Sequence, residues 1–393
     1  MSLPKVVIIG GGFAGLAAAR KLNHAVQSAL CTVTLIDANA ETCMIPALPD
    51  YAAGLIPREQ ITAPIQEQLP PNTTFFQAKV TGISCKEKVI HTNAGEVTFD
   101  YLILAMGSCP SPIPDVLQKI PTHTVTNIAD ASALKDAFAE HLHNQEVPSI
   151  VINGAGYTGI ELAICMARSA AQVNSPIHIH LIELRDDILP FLPPSQQQRV
   201  HNSIERHAVK LHTQCHIESA QPNRVQLSDG TTIEAPLICR TEGTTAPVKA
   251  DDEKIVYLSD GRFEVATTLA LHAFPYVLAA GDAAAFHAPS GYLRKAVNFA
   301  FYAGKHAGMN VVRAIKNKPV RPFKPMDLGW VIPVGDDSVG KAFGSVPLTG
   351  KMGLRLHYVM CGYRNYNMKN FWRLCGHAVR AGAKPATTRK EQA

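Results

Sequence analysis

Near the start of the chain, Val6-Val7-Ile8-Ile9 runs directly into Gly10-Gly11-Gly12-Phe13-Ala14-Gly15. A β-branched run, a glycine turn, the alanine-rich stretch Leu16–Leu22 and a second apolar run, Thr32–Asp37, follow the order of a βαβ unit. Each glycine of this GxGxxG has a steric task. Gly10 permits the tight turn, Gly12 lets the backbone approach a pyrophosphate, and Gly15 packs helix on strand. Phe13 and Ala14 open the helix, whose free N–H groups then face the phosphates. Asp37, at the end of the next strand, is placed to accept a ribose hydroxyl, and an acid about 20 residues on separates this pattern from an ordinary turn.

The same order returns at Ile150–Asn153, Gly154-Ala155-Gly156-Tyr157-Thr158-Gly159, Ile160–Arg168 and Ile177–Glu183. Glu183 stands where Asp37 stands in the first copy; an acid there accepts the 2′-hydroxyl of NADH and repels the 2′-phosphate of NADPH, a preference that Arg185 softens. Two dinucleotide turns in one chain imply electron transfer between two cofactors, one of them a flavin. The expected fold is α/β, with two Rossmann-like dinucleotide-binding domains, each carrying a β-meander. Thr74–Ala78, Lys88–Thr92 and Val97–Leu104 alternate like such a meander after the first unit, and Val225–Thr232 does so after the second. A further strand, Tyr276–Ala280, ends in Gly281-Asp282 and leads to a helix across Val297–Ile315, and Pro319, Pro322 and Pro325 mark a connector.

Of 393 residues, 46% are hydrophobic and 18% charged, which excludes a disordered chain and suits two to four folded domains. No apolar run reaches the ~18 residues of a membrane-spanning helix. The opening MSLPKVVIIGGG lacks the pattern of a secretory signal, and nine scattered cysteines without a CxxC pair suit a reducing compartment. The net charge of +5 is uneven, because residues 338–393 hold ten basic residues and one acid. On a helical wheel Met368, Phe371, Trp372 and Cys375 share one face of this tail, and Lys369, Arg373 and Arg380 another. With Leu354, Leu356, Tyr358 and Val359 before it, the tail reads as an interfacial anchor for anionic lipid. Packing of the stripe on the body or in a dimer is the alternative; no nucleic-acid recognition motif accompanies the charge. His178, His180, His141 and His143 complete no ligand spacing, so the histidines read as structural and no metal site is expected.

Further stretches carry a family resemblance. Ala105-Met106-Gly107 resembles the ATG strand end, with Met106 in place of the usual Thr, and Tyr276–Asp282 (YVLAAGD) the late flavin-binding strand, of flavoproteins in the pyridine nucleotide-disulfide oxidoreductase superfamily. Within it, Ile45–Gly54 (IPALPDYAAG), Gly159-Ile160-Glu161, and Lys295–Ala314 followed by Lys324-Pro325 and the basic end resemble type II NADH:quinone oxidoreductases and the related ferroptosis-suppressor quinone reductases. The resemblance implies an enzyme, an FAD-dependent NADH dehydrogenase that passes hydride from NADH to flavin N5 and then two electrons to a quinone. It implies FAD in a domain of residues 1–112 and 246–326, NADH in 113–245, and a membrane- or dimer-interface segment, 327–393. Gly107, Gly281 and Asp282 would line the flavin, with Asp282 on its ribityl chain, and Glu161 would help move a proton. The family's AQxxxQ reads Val297-Asn298-Phe299-Ala300-Phe301-Tyr302 here, so both quinone-lining glutamines are replaced. Asn298 and Tyr302 share a helix face where they could bond a quinone carbonyl, and packing explains them equally well. The resemblance further implies a cytoplasmic protein, peripheral on the inner face of a membrane, and a homodimer. Three alternatives remain at this stage: a single-cysteine NADH oxidase, peroxidase or disulfide reductase using Cys43; a sulfide:quinone oxidoreductase drawing on Cys109, Cys165 and Cys361; and a non-catalytic NADH-binding flavoprotein.

Overall fold

A computed structural model describes residues 2–234, 236–289, 291–344, 346–364 and 368–381. The chain divides into two compact units. The first comprises Met1–Cys43, Thr62–Cys109 and Thr244–Leu328, the second Met44–Ile61, Pro110–Gly243 and Gly329–Ala393. Residues 44–61 and 329–393, which the sequence reading assigns to the first domain and to a separate segment, thus belong to the second unit.

The first unit is built on five parallel strands in the order Val277–Ala279, Tyr101–Leu104, Lys5–Ile9, Thr32–Asp37, Thr73–Gln77. Val6, Val7, Ile8 and Ile9 are all buried, which is why this central strand is apolar throughout instead of alternating. From Lys5–Ile9 the chain lays strands to one side and returns to the other with Tyr101–Leu104, so the strand order reverses beside Gly10. Ligands of such sheets bind at the carboxyl ends where this reversal occurs.

Two parts of the expected meander are placed differently. Thr73–Gln77 is the edge strand of the parallel sheet, its Phe75 paired with Leu35. An edge strand covered on one side alternates just as a meander strand does, so periodicity does not separate the two. Val97–Leu104 splits: Gly95–Thr98 closes an antiparallel meander with Val80–Ser84 and Val89–Thr92, and Tyr101–Leu104 enters the parallel sheet. Asp100 sets the change of direction, its Oδ2 accepting the Lys5 backbone N–H at 2.7 Å beside the first strand.

The helix Phe13–Gln27 packs along Val297–Ile315. The two approach closely because Gly304 faces the backbone of Ala14, where any Cβ would run into the Ala14 carbonyl oxygen.

The second unit repeats the architecture with Thr122–His123, Pro236–Arg240, Ser149–Asn153, His178–Ile182 and Val209–His212, again all parallel. Ile217–Gln221, Arg224–Leu227 and Thr232–Glu234 form its meander. The C-terminal part adds an antiparallel sheet, Gly329–Val334, Asp337–Ala342 and Val346–Pro347, followed by the helices Gly350–Arg364 and Met368–Ala381. Among the described residues no helix is long and apolar enough to cross a membrane. In the last helix the body-facing positions are Asn370, Leu374 and Ala378, and Met368 and Trp372 are each 67% exposed. Leu354 and Tyr358, read from sequence as part of the lipid-facing stretch, are buried instead. The Arg380 side chain and residues 382–393 lie outside the described residues.

Gly304→Ala should destabilise the first unit by about 1–3 kcal/mol, the usual cost of forcing volume into a filled contact. Denaturant unfolding checks this, and an unchanged midpoint would show that the helices can separate without cost.

Candidate functional site

The two glycine turns are built alike. Gly10 and Gly154 have φ of 108° and 107°, the left-handed region open to glycine, and their N–H groups donate to Ile36 O and Ile182 O at 2.8 and 2.9 Å. A Cβ on Gly15 or Gly159 would strike the carbonyl oxygen of Gly10 or Gly154. On Gly12 or Gly156 it would meet nothing within 4 Å. The helices starting at Phe13 and Tyr157 have no side-chain cap and no acid in the first turn. The helix Ile128–Asn144, by contrast, is capped by Asn127, which accepts from Asp130 N. Uncapped helix N-termini facing open space are anion sites, through free N–H groups and the positive end of the helix dipole. Asp37 Oδ2 accepts from Gly11 N at 2.6 Å, and Glu183 Oε2 from Ala155 N at 3.3 Å. Each acid thus lies against its own turn, and the residues present fit a dinucleotide in both units.

Around the first turn, Ala105 and Gly107 (φ 68°) follow the strand on the far side of the reversal. Gly281 (φ 70°) and Asp282 follow Val277–Ala279. A cavity there is lined by Arg262, Asp282, Lys295, Phe299, Ala300 and Phe323, among others. Burial raises the pKa of Asp282, an effect that the Lys295 and Arg262 charges oppose. Lys295 Nζ is held by Thr244 Oγ1 at 2.6 Å. Asn298 Nδ2 donates to the Met326 carbonyl at 3.2 Å, and Tyr302 is half-buried, its ring 5.4 Å from that of Phe301. In the second unit Tyr157, which precedes Thr158 at the start of its helix, has its ring 5.4 Å from Phe191 and 6.2 Å from Trp330.

Glu161 lies just beyond Gly159 on the same helix and is buried, its Oε1 without a hydrogen-bond partner. Burial, and then the charge of Asp50, push its carboxyl well above the usual range. Asp50, on the short helix Leu48–Ala52, is fully buried. Its Oδ1 accepts from Tyr358 Oη at 2.9 Å and from Cys165 Sγ at 3.8 Å, and His377 Nε2 lies 4.0 Å away. Sequence reasoning missed Asp50 and Tyr358. A carboxylate inside the otherwise apolar IPALPDYAAG was the available signal for Asp50; Tyr358 offered none.

The description "pyridine nucleotide-disulphide oxidoreductase" matches residues 4–316. The chain belongs to that family. It is an oxidoreductase, and its fold is the one the sequence predicts. A type II NADH:quinone oxidoreductase of Staphylococcus aureus is 25% identical over 378 residues, covering 88% of this chain and 91% of that protein. The structure of NDH2 from Plasmodium falciparum in complex with RYL-552 superimposes with a TM-score of 0.82 at 15% identity, covering 97% and 99% of the two chains. The sulfide:quinone oxidoreductase of Aquifex aeolicus gives 0.76 at 17% identity, covering 95% and 92%.

The family name directs attention to the thiols. Cys43 is half-buried at the end of the strand Glu41–Cys43, paired antiparallel with Thr62–Pro64. Burial raises the pKa of Cys109, Cys165 and Cys361 alike, the opposite of what a thiolate nucleophile needs. Folding also gathers a group that the sequence spacing does not reveal. His212 Nδ1 lies 2.9 Å from Asp229 Oδ2 and its Nε2 3.1 Å from His180 Nδ1, and candidate ligand atoms of His212, Asp229 and Cys215 all lie within 4.8 Å of one another. Burial, then the His212 charge, lowers the His180 pKa to about 4, so this ring is neutral near pH 7.

Glu161 also has a stability signature. With a folded-state pKa above its unfolded value, its contribution is fully present below the ordinary carboxyl range, about 4.3, and is lost as pH rises through the raised pKa. Chemical denaturation of the protein and of Glu161→Gln should therefore show the wild type losing stability relative to the variant as pH climbs from about 4 toward neutrality. A relative gain would mean that the fold favours the carboxylate.

Proposed function

We propose that this protein is an FAD-dependent NADH:quinone oxidoreductase. The observation that carries the reading is the pair of equivalent dinucleotide cradles, in a chain aligned along most of its length with a type II NADH:quinone oxidoreductase. Gly10, Gly12, Gly15 and Asp37 would hold FAD, and Gly154, Gly156, Gly159 and Glu183 would hold NADH. Bound FAD supplies the hydride-accepting and electron-returning chemistry. The chain's own residues then bind and orient: Asp282 toward the ribityl chain, Asn298 and Tyr302 toward the quinone, and Glu161 as the proton carrier. A carboxyl that burial raises well above its usual range suits that last role, because a carrier must hold a proton before it can give one up. The raised thiols of Cys109, Cys165 and Cys361 favour this reading over a sulfide:quinone oxidoreductase.

A quinone substrate calls for a membrane surface, and the two C-terminal helices offer one. Met352, Tyr363, Met368, Trp372 and Val379 are all more than 60% exposed, with Lys351, Arg355 and Lys369 exposed on the same helices. Apolar side chains that reach the acyl boundary while cations meet headgroups are the requirement of a peripheral anchor. Substituting both Met368 and Trp372 by Glu should weaken co-sedimentation with anionic vesicles by about tenfold or more, given ~1.5–3 kcal/mol per large apolar side chain buried. Unchanged binding would assign this face to another partner.

The reaction itself is tested anaerobically. The protein is reduced with NADH and mixed with a short-chain ubiquinone or menaquinone while flavin absorbance is followed. Fast reoxidation is expected, and equally fast in Cys43→Ser. Reoxidation by peroxide or a disulfide alone, lost in Cys43→Ser, would replace the reading with a thiol-dependent one.

A further inference from the structure

The buried cluster around Glu161 holds more acid than the proposed reaction has used. Two carboxyl groups sit in it, and each has one buried oxygen without a hydrogen-bond partner, Asp50 Oδ2 and Glu161 Oε1. Cys165, one turn on from Glu161 along the same helix, reaches Asp50 Oδ1, which places the two carboxyls in one buried cluster; burying both ionised is prohibitive, and leaving two such oxygens unpaired adds the desolvation cost of each. One proton held between two carboxyls removes both costs, because an O–H···O⁻ bond is among the strongest a protein makes. The groups facing the pair come from every element around it. Cys165 and Arg168 lie on the helix of Glu161, and His357, Tyr358 and Cys361 on Gly350–Arg364. His377 approaches from Met368–Ala381, and Lys135, on Ile128–Asn144, lies over the ring of Tyr51, next to Asp50. Burial keeps Tyr358 and Cys165 protonated, so both donate to Asp50 Oδ1 and neither accepts a charge.

We propose that Asp50 and Glu161 share a single proton, with Tyr358 holding the carboxylate member of the pair through Asp50 Oδ1, so that a residue of the C-terminal helices belongs to the proton site. The catalytic use of that proton rests on the reading of Glu161 given above. A quinol carries two added protons, and a hydride brings one with its two electrons, so each turnover draws one more proton from the medium. The pair gives up its shared proton to the reduced substrate and takes one back from solvent. Both carboxyls end the cycle as they began, and no oxidant or reductant beyond NADH and quinone is required. Asp50 touches no reacting atom in this scheme; it acts through Glu161, as a positioning residue.

Two readouts separate the shared proton from its use. Infrared titration of the flavin-loaded enzyme without substrate follows the protonated-carboxyl C=O band. In wild type this band should persist well above the ordinary carboxyl range and vanish in one step. Asp50→Asn removes the neighbouring charge and should move that step down by about one pH unit or more, the size of shift that a close like charge produces. Tyr358→Phe removes a donor from the ionised pair and should move the step up. Opposite shifts from two variants of one cluster are not what a general packing defect produces, and Tyr358→Phe keeps the test alive if Asp50→Asn does not fold. A band that titrates identically in wild type and in whichever variants fold overturns the proposal. The pH profile of quinone-dependent turnover is measured in parallel. If Glu161→Gln abolishes the infrared step yet leaves that profile unchanged, the pair shares a proton and the assignment of Glu161 as carrier fails. If profile and band shift together, both stand.

Discussion

Each unit depends on a helix pressed against the turn that starts it. The last glycine of each turn, Gly15 or Gly159, sits so close to the carbonyl oxygen of the first that no side chain could stand there. That contact brings the helix N-terminus up against the turn that ends the preceding strand. The uncapped N–H groups face open space, the acid at the end of the following strand lies against the turn, and in the second unit Glu161 falls just beyond the same glycine. A constraint this local must be written into adjacent residues, and so the two turns read correctly from sequence alone.

Features that depend on partners distant in the chain were less legible. The direction of Thr73–Gln77 is fixed by pairing with Thr32–Asp37, yet its alternation suits a parallel edge strand and a meander strand equally. In Met368–Ala381 the stripe that a helical wheel picks out holds the exposed Met368 and Trp372, but that Asn370, Leu374 and Ala378 are the buried positions depends on what packs against the helix. Tyr358 shows the same limit, because an aromatic residue in an apolar helix reads as lipid-facing until a buried carboxylate takes its hydroxyl. The Asp50 cluster draws on segments some 300 positions apart, and no periodicity could join them.

Aspartate and glutamate appear in this chain under contrasting electrostatics. Asp282 follows a strand of the first unit, and its burial is opposed by the cations Lys295 and Arg262. Glu161 follows a glycine turn of the second, and its burial is reinforced by the negative charge of Asp50. Desolvation acts on both in the same direction, so the neighbours account for the difference. Lys295 and Arg262 hold back the rise that burial imposes on Asp282, whereas Asp50 adds to the rise that burial imposes on Glu161. Environments that drive two acids toward different protonation states commonly mark a division between binding and proton transfer. Here both carboxyls are raised, Glu161 more strongly, so the neighbours set the degree of the shift and not its direction, and the proposed split between a ligand-binding acid and a proton-holding one rests on that difference in degree.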